Sequence, residues 1–355
     1  MKFISLSFFV SKFKSEREVF LMNTSMNFAL FEAAVVKGLQ EKMGEDYRIL
    51  PNQVKKNNGI VLTGIIVEEK NSNTSPTIYL DDFYENYQNG VGLDQIVESL
   101  YRIFHKTRIR ESVDLSNFLE YEKAKRQIAF KIVNFDKNRE LLKKIPYKMF
   151  CNLAIIFYYV VQEPPFYGKA SILIHNEHLD HWGIGIEELY AQAKENTPRL
   201  FPAHIENIEE LILGMLRSSM KGEKRKPEGE KEIKLEITGD EWIDHLLLKL
   251  KADMENDEDR IPMYVLSNRQ KLQGAACMFY PDILKNFAEE KNSDLYILPS
   301  SIHEVILLPA TEDMEKENLL EMVTEINKTQ VQECDVLADS VYYYSRQSQQ
   351  LMRIC

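Results

Sequence analysis

Two apolar periods alternate along this chain, and their succession sets out the elements to expect. In residues 27–43, Phe28, Phe31, Val35 and Leu39 share one face before Gly44, which predicts an amphipathic helix. Two apolar-rich runs then meet at Asn57-Asn58-Gly59. Asn-Gly tolerates the positive φ of a type I′ turn, so a hairpin is expected. After a polar loop at 71–75, the run TIYLDDFYENYQNG leads to Gly90. Leu93, Ile96, Val97, Leu100, Tyr101 and Phe104 recur at the cleanest helical spacing in the chain. Strands are expected at 127–135, 153–161 and 170–174, the middle one apolar on both faces as a central strand should be. Ile186, Leu189, Tyr190 and Ala193 predict a helix ending near Pro198, and Ile205, Ile208, Leu211, Ile212 and Met215 predict another.

The composition then changes abruptly to KGEKRKPEGEKEIK at 221–234. Such a segment buries too little apolar area to offset its ordering entropy and reads as a solvated linker. Its basic cluster, Lys224-Arg225-Lys226, is interleaved with glutamates, which favours solvation over an acidic partner. Beyond it, Thr238 and Glu241 have the spacing of a capping box opening a helix with Trp242, Ile243, Leu246, Leu247 and Leu250 inward. Strands at 264–267 and 275–279, a helix from Pro281, and strands at 295–298 and 305–308 should follow. A helix bearing Leu319, Met322, Val323 and Ile326 and a strand at 336–344 complete the pattern. The expected fold class is α+β, with mixed or antiparallel sheets and packed helices in two sub-domains. These are 26–216 and 240–355, joined by a charged linker at 217–239.

At 355 residues the chain can bury a substantial core, and 44% hydrophobic with 28% charged residues is ordinary for a globular protein. A net charge of −11 argues against a phosphate-tracking nucleic-acid surface and against docking on anionic membranes. Four scattered cysteines, Cys151, Cys277, Cys334 and Cys355, form no Cys-x-x-Cys pair and suggest neither a disulfide framework nor a zinc knuckle. Cys151 and Cys277, in apolar runs, read as buried thiols, and a reducing cytoplasm is the consistent compartment. Lys2 and the apolar run to Val10 resemble a truncated signal peptide, but no small-x-small cleavage site follows. We expect Met22 or Met26 to be the functional start and residues 1–25 to be an extension outside the fold.

The runs YLDDFYENYQNG, HLDHWGIGIEELYAQAKENTPRL and MYVLSNRQKLQGAACMFY, and above all LYILPSSIHEVILLPA, resemble an uncharacterised bacterial domain-of-unknown-function family, number 5688. The resemblance covers 26–355. The Trp-Gly-Ile and Glu-Glu-Leu pattern between Trp182 and Leu189 is also similar to a second uncharacterised bacterial family. These resemblances imply a bacterial cytoplasmic protein with a variable insertion after Met220, and they imply no activity, cofactor or catalytic residue.

Ser300, Ser301, His303 and Glu304 form the one tight cluster of nucleophile, base and acid types, with Ser267 and Asn268 at another strand end. A hydrolase would use His303 as base and a serine as nucleophile. On a strand, however, His303 and Glu304 would point to opposite faces. The bland reading is a Pro-Ser-Ser turn whose hydroxyls bond backbone, with Glu304 needing a donor from Arg269, Asn268 or an amide. A ligand-binding rim of Asn268, Ser300, Ser301, His303 and Glu304 stands between these two readings. His175, His178 and His181 are spaced as His-x-x-His-x-x-His, a weak metal candidate whose rings would converge imperfectly on a helix. Gln273-Gly274 lacks the pattern of a phosphate loop and reads as a hairpin connection. Asp81-Asp82 reads as a helix cap, and Tyr342-Tyr343-Tyr344 as an edge strand with one buried face.

The expected function is therefore a cytoplasmic protein that binds a partner protein or small ligand, with no cofactor, nucleic acid or membrane. The alternative is a hydrolase at the Ser300–Glu304 rim. The two differ on whether a serine hydroxyl, the His303 ring and an acid converge in one hollow.

Overall fold

The computed structural model describes residues 26–70, 72–109, 113–162, 164, 166, 168, 170–208, 262–299, 301–311 and 314–355. Contacts divide the chain into two compact units, one of residues to 56 together with 61–113, the other of 57–60 together with 114–355.

In the first unit, α1 (Phe28–Met43) begins where the Asn27 side chain accepts the Leu30 amide hydrogen at 3.0 Å. β1 (Tyr47–Lys55) and β2 (Val61–Glu69) pair antiparallel, Tyr47 opposite Glu69 and Lys55 opposite Val61. β3 (Thr77–Tyr79) adds to the other side of β2, which leaves β1 at an edge. The Gln40 carboxamide covers part of that edge, donating to the Tyr47 carbonyl at 2.8 Å and accepting from the Ile49 amide at 3.1 Å. One side chain thus stands in for a neighbouring strand, a local safeguard against edge pairing. α2 (Asp81–Gln88) and α3 (Leu93–Thr107) follow. Phe31, Val35 and Leu39 of α1 share one core with Ile65 and Val67 of β2 and with Ile96, Leu100 and Phe104 of α3. Asp81 and Asp82 lie in the first turn of α2 but do not cap it; the cap position is Leu80, so their charge complements the helix dipole alone.

The second unit opens with α4 (Ser116–Leu119), α5 (Tyr121–Ala124), β4 (Ile128–Asn134), α6 (Arg139–Leu142), β5 (Tyr147–Phe150), β6 (Leu153–Val161) and β7 (Ala170–Leu173). β6 is buried throughout, paired with β4 along one side and with β5 and then β7 along the other. Next come α7 (Asn176–Trp182), α8 (Ile186–Leu200), β8 (Ala203–Asn207) and β9 (Tyr264–Asn268). α8 closes the open side of β4: the Thr197 hydroxyl accepts the Phe130 amide hydrogen, and Asn196 donates to the Ile128 carbonyl, both at 3.0 Å. A 3-10 helix (Gly274–Phe279) leads to α9 (Ile283–Lys291), β10 (Leu295–Leu298), β11 (Val305–Pro309), α10 (Lys316–Thr329), β12 (Tyr342–Ser345) and β13 (Gln350–Arg353). Six of these strands form one sheet in the order β13-β12-β10-β11-β9-β8. Every pairing is antiparallel, so the fold class is α+β.

Strand periodicity explains how that sheet is buried. Leu266, Leu295, Ile297, Val305 and Leu307 share a core with Phe130, Ile155 and Phe157 of the other sheet and with Ala275–Met278 of the 3-10 helix. Their sequence neighbours Val265, Tyr296, Leu298, Ile306 and Leu308 face the opposite way, onto Leu319 and Val323 of α10. Each fully buried large apolar side chain contributes roughly 1.5–3 kcal/mol. Among the described residues no helix is long and apolar enough to cross a membrane.

Several expected elements differ. Residues 275–279 are a 3-10 helix, because Gln273 and Asp282 at positive φ turn the chain sharply on either side. The Gln273-Gly274 connection is accordingly no hairpin turn. Ile205 lies in β8, where pairing with β9 overrides its helix-like spacing. Residues 336–341 are irregular apart from a bridge between Ser301 and Val336, and the strand starts at Tyr342. β12 is flanked by β10 and β13, so the three tyrosines are not on an edge. Cys151 is exposed in the turn between β5 and β6, whereas Cys277 is buried. The β1–β2 connection is a longer 3-10 turn, with Asn58 at φ 59°, not a two-residue type I′ turn. Residues 1–25, the segment 217–239, the helix around Trp242 and most of the helix from Ile208 to Met215 lie outside the described residues. Two units were expected, yet the contacts separate them near 113 and not at 217–239. β8 and β9, from the two sides of that segment, pair within one sheet.

Candidate functional site

Antiparallel pairing of Val305 with Leu266 and of Ile306 with Leu298 brings the end of β9, the end of β10 and the start of β11 together. Asn268, Ser301, His303 and Glu304 therefore gather at one sheet end, as expected; Ser300 lies outside the described residues. Strand geometry begins only at Val305, so residues 301–304 form a turn and the anticipated opposite-face arrangement of His303 and Glu304 does not apply.

Ser301 organises that turn. Its hydroxyl donates to Glu304 Oε1 at 2.9 Å and accepts the amide hydrogens of His303 at 3.0 Å and Glu304 at 3.3 Å. Both residues are buried. Ser301 thus supplies a donor to Glu304, where Arg269, Asn268 or an amide had been expected. A carboxylate in this position costs several kcal/mol of desolvation unless bonded, which is why the hydroxyl turns inward.

His303 pairs elsewhere. Its Nδ1 accepts the Gln273 amide hydrogen at 3.3 Å, and its Nε2 lies 3.5 Å from Asp335 Oδ1. The Ser267 hydroxyl donates to the His303 carbonyl at 2.7 Å. Asn268 closes its own loop, donating to the Leu272 carbonyl at 2.7 Å and accepting from the amides of Gln270 at 3.0 Å and Leu272 at 3.3 Å. Gly274 passes so close beneath that a Cβ there would stand 2.2 Å from Ser267 Oγ and 2.6 Å from both the Asn268 nitrogen and the His303 oxygen. Only glycine admits that approach.

Residues 333–340 support the rim from behind, and asparagines hold them. Asn57 donates to the Cys334 carbonyl, Asn58 to those of Glu333 and Val336, Asn134 to that of Leu337, and Asn327 to that of Ala338. The Ile302 amide in turn donates to the Asp335 carbonyl at 2.8 Å. Asp335, Gln273 and this asparagine set were absent from the sequence-based site, since their partners lie up to 278 residues away. No local spacing signals such pairings.

Among the described residues of the rim, the polar side chains are already engaged. A nucleophilic serine needs its proton within reach of a base with a free lone pair. Ser301 gives its proton to Glu304, and the His303 nitrogens face Gln273 and Asp335.

The three histidines do not converge either. The His178 Nδ1 accepts the His175 amide hydrogen at 3.0 Å, and His181 Nε2 lies 3.2 Å from the Leu119 carbonyl. The neighbouring Trp182 indole donates to the Phe118 carbonyl at 3.2 Å, so α7 docks on α4. Burial lowers the His178 pKa below the ordinary 6.5, and the adjoining His175 adds to the effect. Among the described residues no group of three or more His, Cys, Asp or Glu is placed to hold a metal ion.

No curated protein and no solved structure matches the chain. One family profile does, over residues 28–346, and that span covers most of both units and every residue of the rim. With nearly all of its length matched, this chain belongs to a family of unknown function, DUF5688.

Proposed function

We propose that this protein is a bacterial cytoplasmic binding protein, engaging a partner protein or small ligand without chemistry at its sheet rim. The observation that carries the reading is the Ser301 hydroxyl, which bonds Glu304 and two backbone amides at once. To serve as a nucleophile, Ser301 would have to abandon a buried carboxylate before it could meet a base. That step leaves Glu304 without this donor, a cost of about 1–3 kcal/mol or more for a charged group. The net charge of −11 adds support against nucleic acid and anionic membrane as the bound partner.

The test is fluorophosphonate labelling of the purified chain together with turnover of a panel of chromogenic carboxyl and phosphate esters. We expect no label on Ser301 and no turnover that Ser301→Ala abolishes. Covalent labelling of Ser301, or ester hydrolysis lost in Ser301→Ala with the melting temperature unchanged, would overturn the reading.

A further inference from the structure

A cavity elsewhere in the second unit has a different chemistry. α4, α5 and the end of β6 enclose an open cavity of about 480 Å³, within the roughly 300–1,000 Å³ range of small-molecule sites. Three cations, Lys123, Lys125 and Arg126, line it against a single carboxylate, Glu122. In a chain of net charge −11 this is a local reversal of sign. Gln127 and Gln162 also line it, and their carboxamides carry neutral hydrogen-bond donors to accompany the charges.

The cations differ in how committed they are. Lys123 bonds Glu120 at 2.7 Å and Lys125 bonds Glu122 at 2.6 Å, both exposed pairs three residues apart on short helical turns. Such surface pairs are weak and readily exchanged for a better anion. The Arg126 side chain is exposed and has no carboxylate partner among the described residues. Its backbone, in contrast, is fixed, with the Arg126 carbonyl accepting from Arg199. A planar guanidinium on a fixed backbone suits bidentate recognition of an oxyanion. Gln127 Oε1 is buried with no partner among the described residues, so turning that amide towards a ligand breaks no bond at that atom.

We propose that this cavity binds a small oxyanion-bearing metabolite, with Arg126 as the principal contact, Lys125 and Lys123 as auxiliary charges, and Gln127 and Gln162 as neutral donors. The site lies apart from Ser301, and its assignment rests on the binding reading above by giving that reading a ligand class. Phosphate and carboxylate share the chemistry recognised here, and the experiment separates them.

Isothermal titration calorimetry of the full chain would use inorganic phosphate, pyrophosphate, phenyl phosphate and citrate as probes. We expect saturable binding of at least one probe, weakened about tenfold or more in Arg126→Gln and further in Lys125→Gln/Arg126→Gln. Added sodium chloride should weaken it too. Lys143→Gln, elsewhere on the unit, should leave it unchanged. Binding confined to the phosphates or to citrate assigns the oxyanion. Circular dichroism of the variants should match the parent, because the Arg126 side chain is exposed. Absence of saturable binding to every probe, or equal affinity in Arg126→Gln, overturns the site while the reading at Ser301 stands. Hydrolysis of phenyl phosphate that Arg126→Gln abolishes would uphold the site and overturn the non-catalytic reading.

Discussion

The hydroxyl of Ser301 donates to Glu304 Oε1 at 2.9 Å across a turn of four residues, inside the protein. Ser301→Ala removes that donor and also the acceptor for two amide hydrogens. We expect a loss of about 1–3 kcal/mol, read as a lower urea midpoint with the m-value unchanged. A destabilisation below roughly 0.5 kcal/mol would mean the turn is held by other contacts.

Gly274 should be the least replaceable small residue of the rim. In Gly274→Ala the new Cβ would stand 2.6 Å from both the Asn268 nitrogen and the His303 oxygen, which are backbone atoms and cannot swing aside. Overpacking of this kind costs about 1–3 kcal/mol, occasionally more. Removing the nearer Ser267 hydroxyl in a Ser267→Ala/Gly274→Ala variant should not restore the melting temperature, because the backbone clashes persist.

How far this rim could be read from the residues follows from the range of its contacts. The gathering of Asn268, Ser301, His303 and Glu304 at strand ends was visible because apolar runs at 264–267, 295–298 and 305–308 place them there. The partners were not, since the bond from Asn58 to Val336 spans 278 residues and no local pattern encodes it. β6 was legible to the residue, being apolar on both faces. The run Ala275–Phe279 was equally apolar but short, and periodicity over five residues does not separate a buried strand from a 3-10 helix. The division near 113 carries no run of proline, glycine or charge comparable to 221–234. The conspicuous compositional break therefore drew the expected boundary to 217–239, whereas the contacts divide the chain near 113.

Acid should weaken the second unit through His178. Burial holds its folded pKa below the ordinary 6.5, so between the two values the unfolded chain binds more protons than the folded one. Stability then rises with pH in that window and is lost as pH falls below about 6.5. Protonation would also cost Nδ1 its bond from the His175 amide. Urea titrations from pH 7.5 to 5 should show a steeper loss for the parent chain than for His178→Gln. Identical slopes would remove His178 as the titrating group.

Thiol chemistry should distinguish Cys151 from Cys277. Burial raises the Cys277 thiol to about 12, which leaves almost no thiolate at pH 8. Cys151 is exposed. Iodoacetamide at pH 8, followed by peptide mapping, should modify Cys151 in the native protein and Cys277 only after denaturation. Rapid native labelling of Cys277 would show that its surroundings open readily.

The asparagine clasp around 333–340 also bears on how this chain is made. Its amides sit as early as Asn57 and Asn134, while the carbonyls they serve, Cys334 and Leu337, lie 277 and 203 positions later. On a ribosome those amides emerge long before the groups that satisfy them. Completion of the second unit must therefore wait until residues 333–340 have been made, and a product cut short before them would carry its clasp empty.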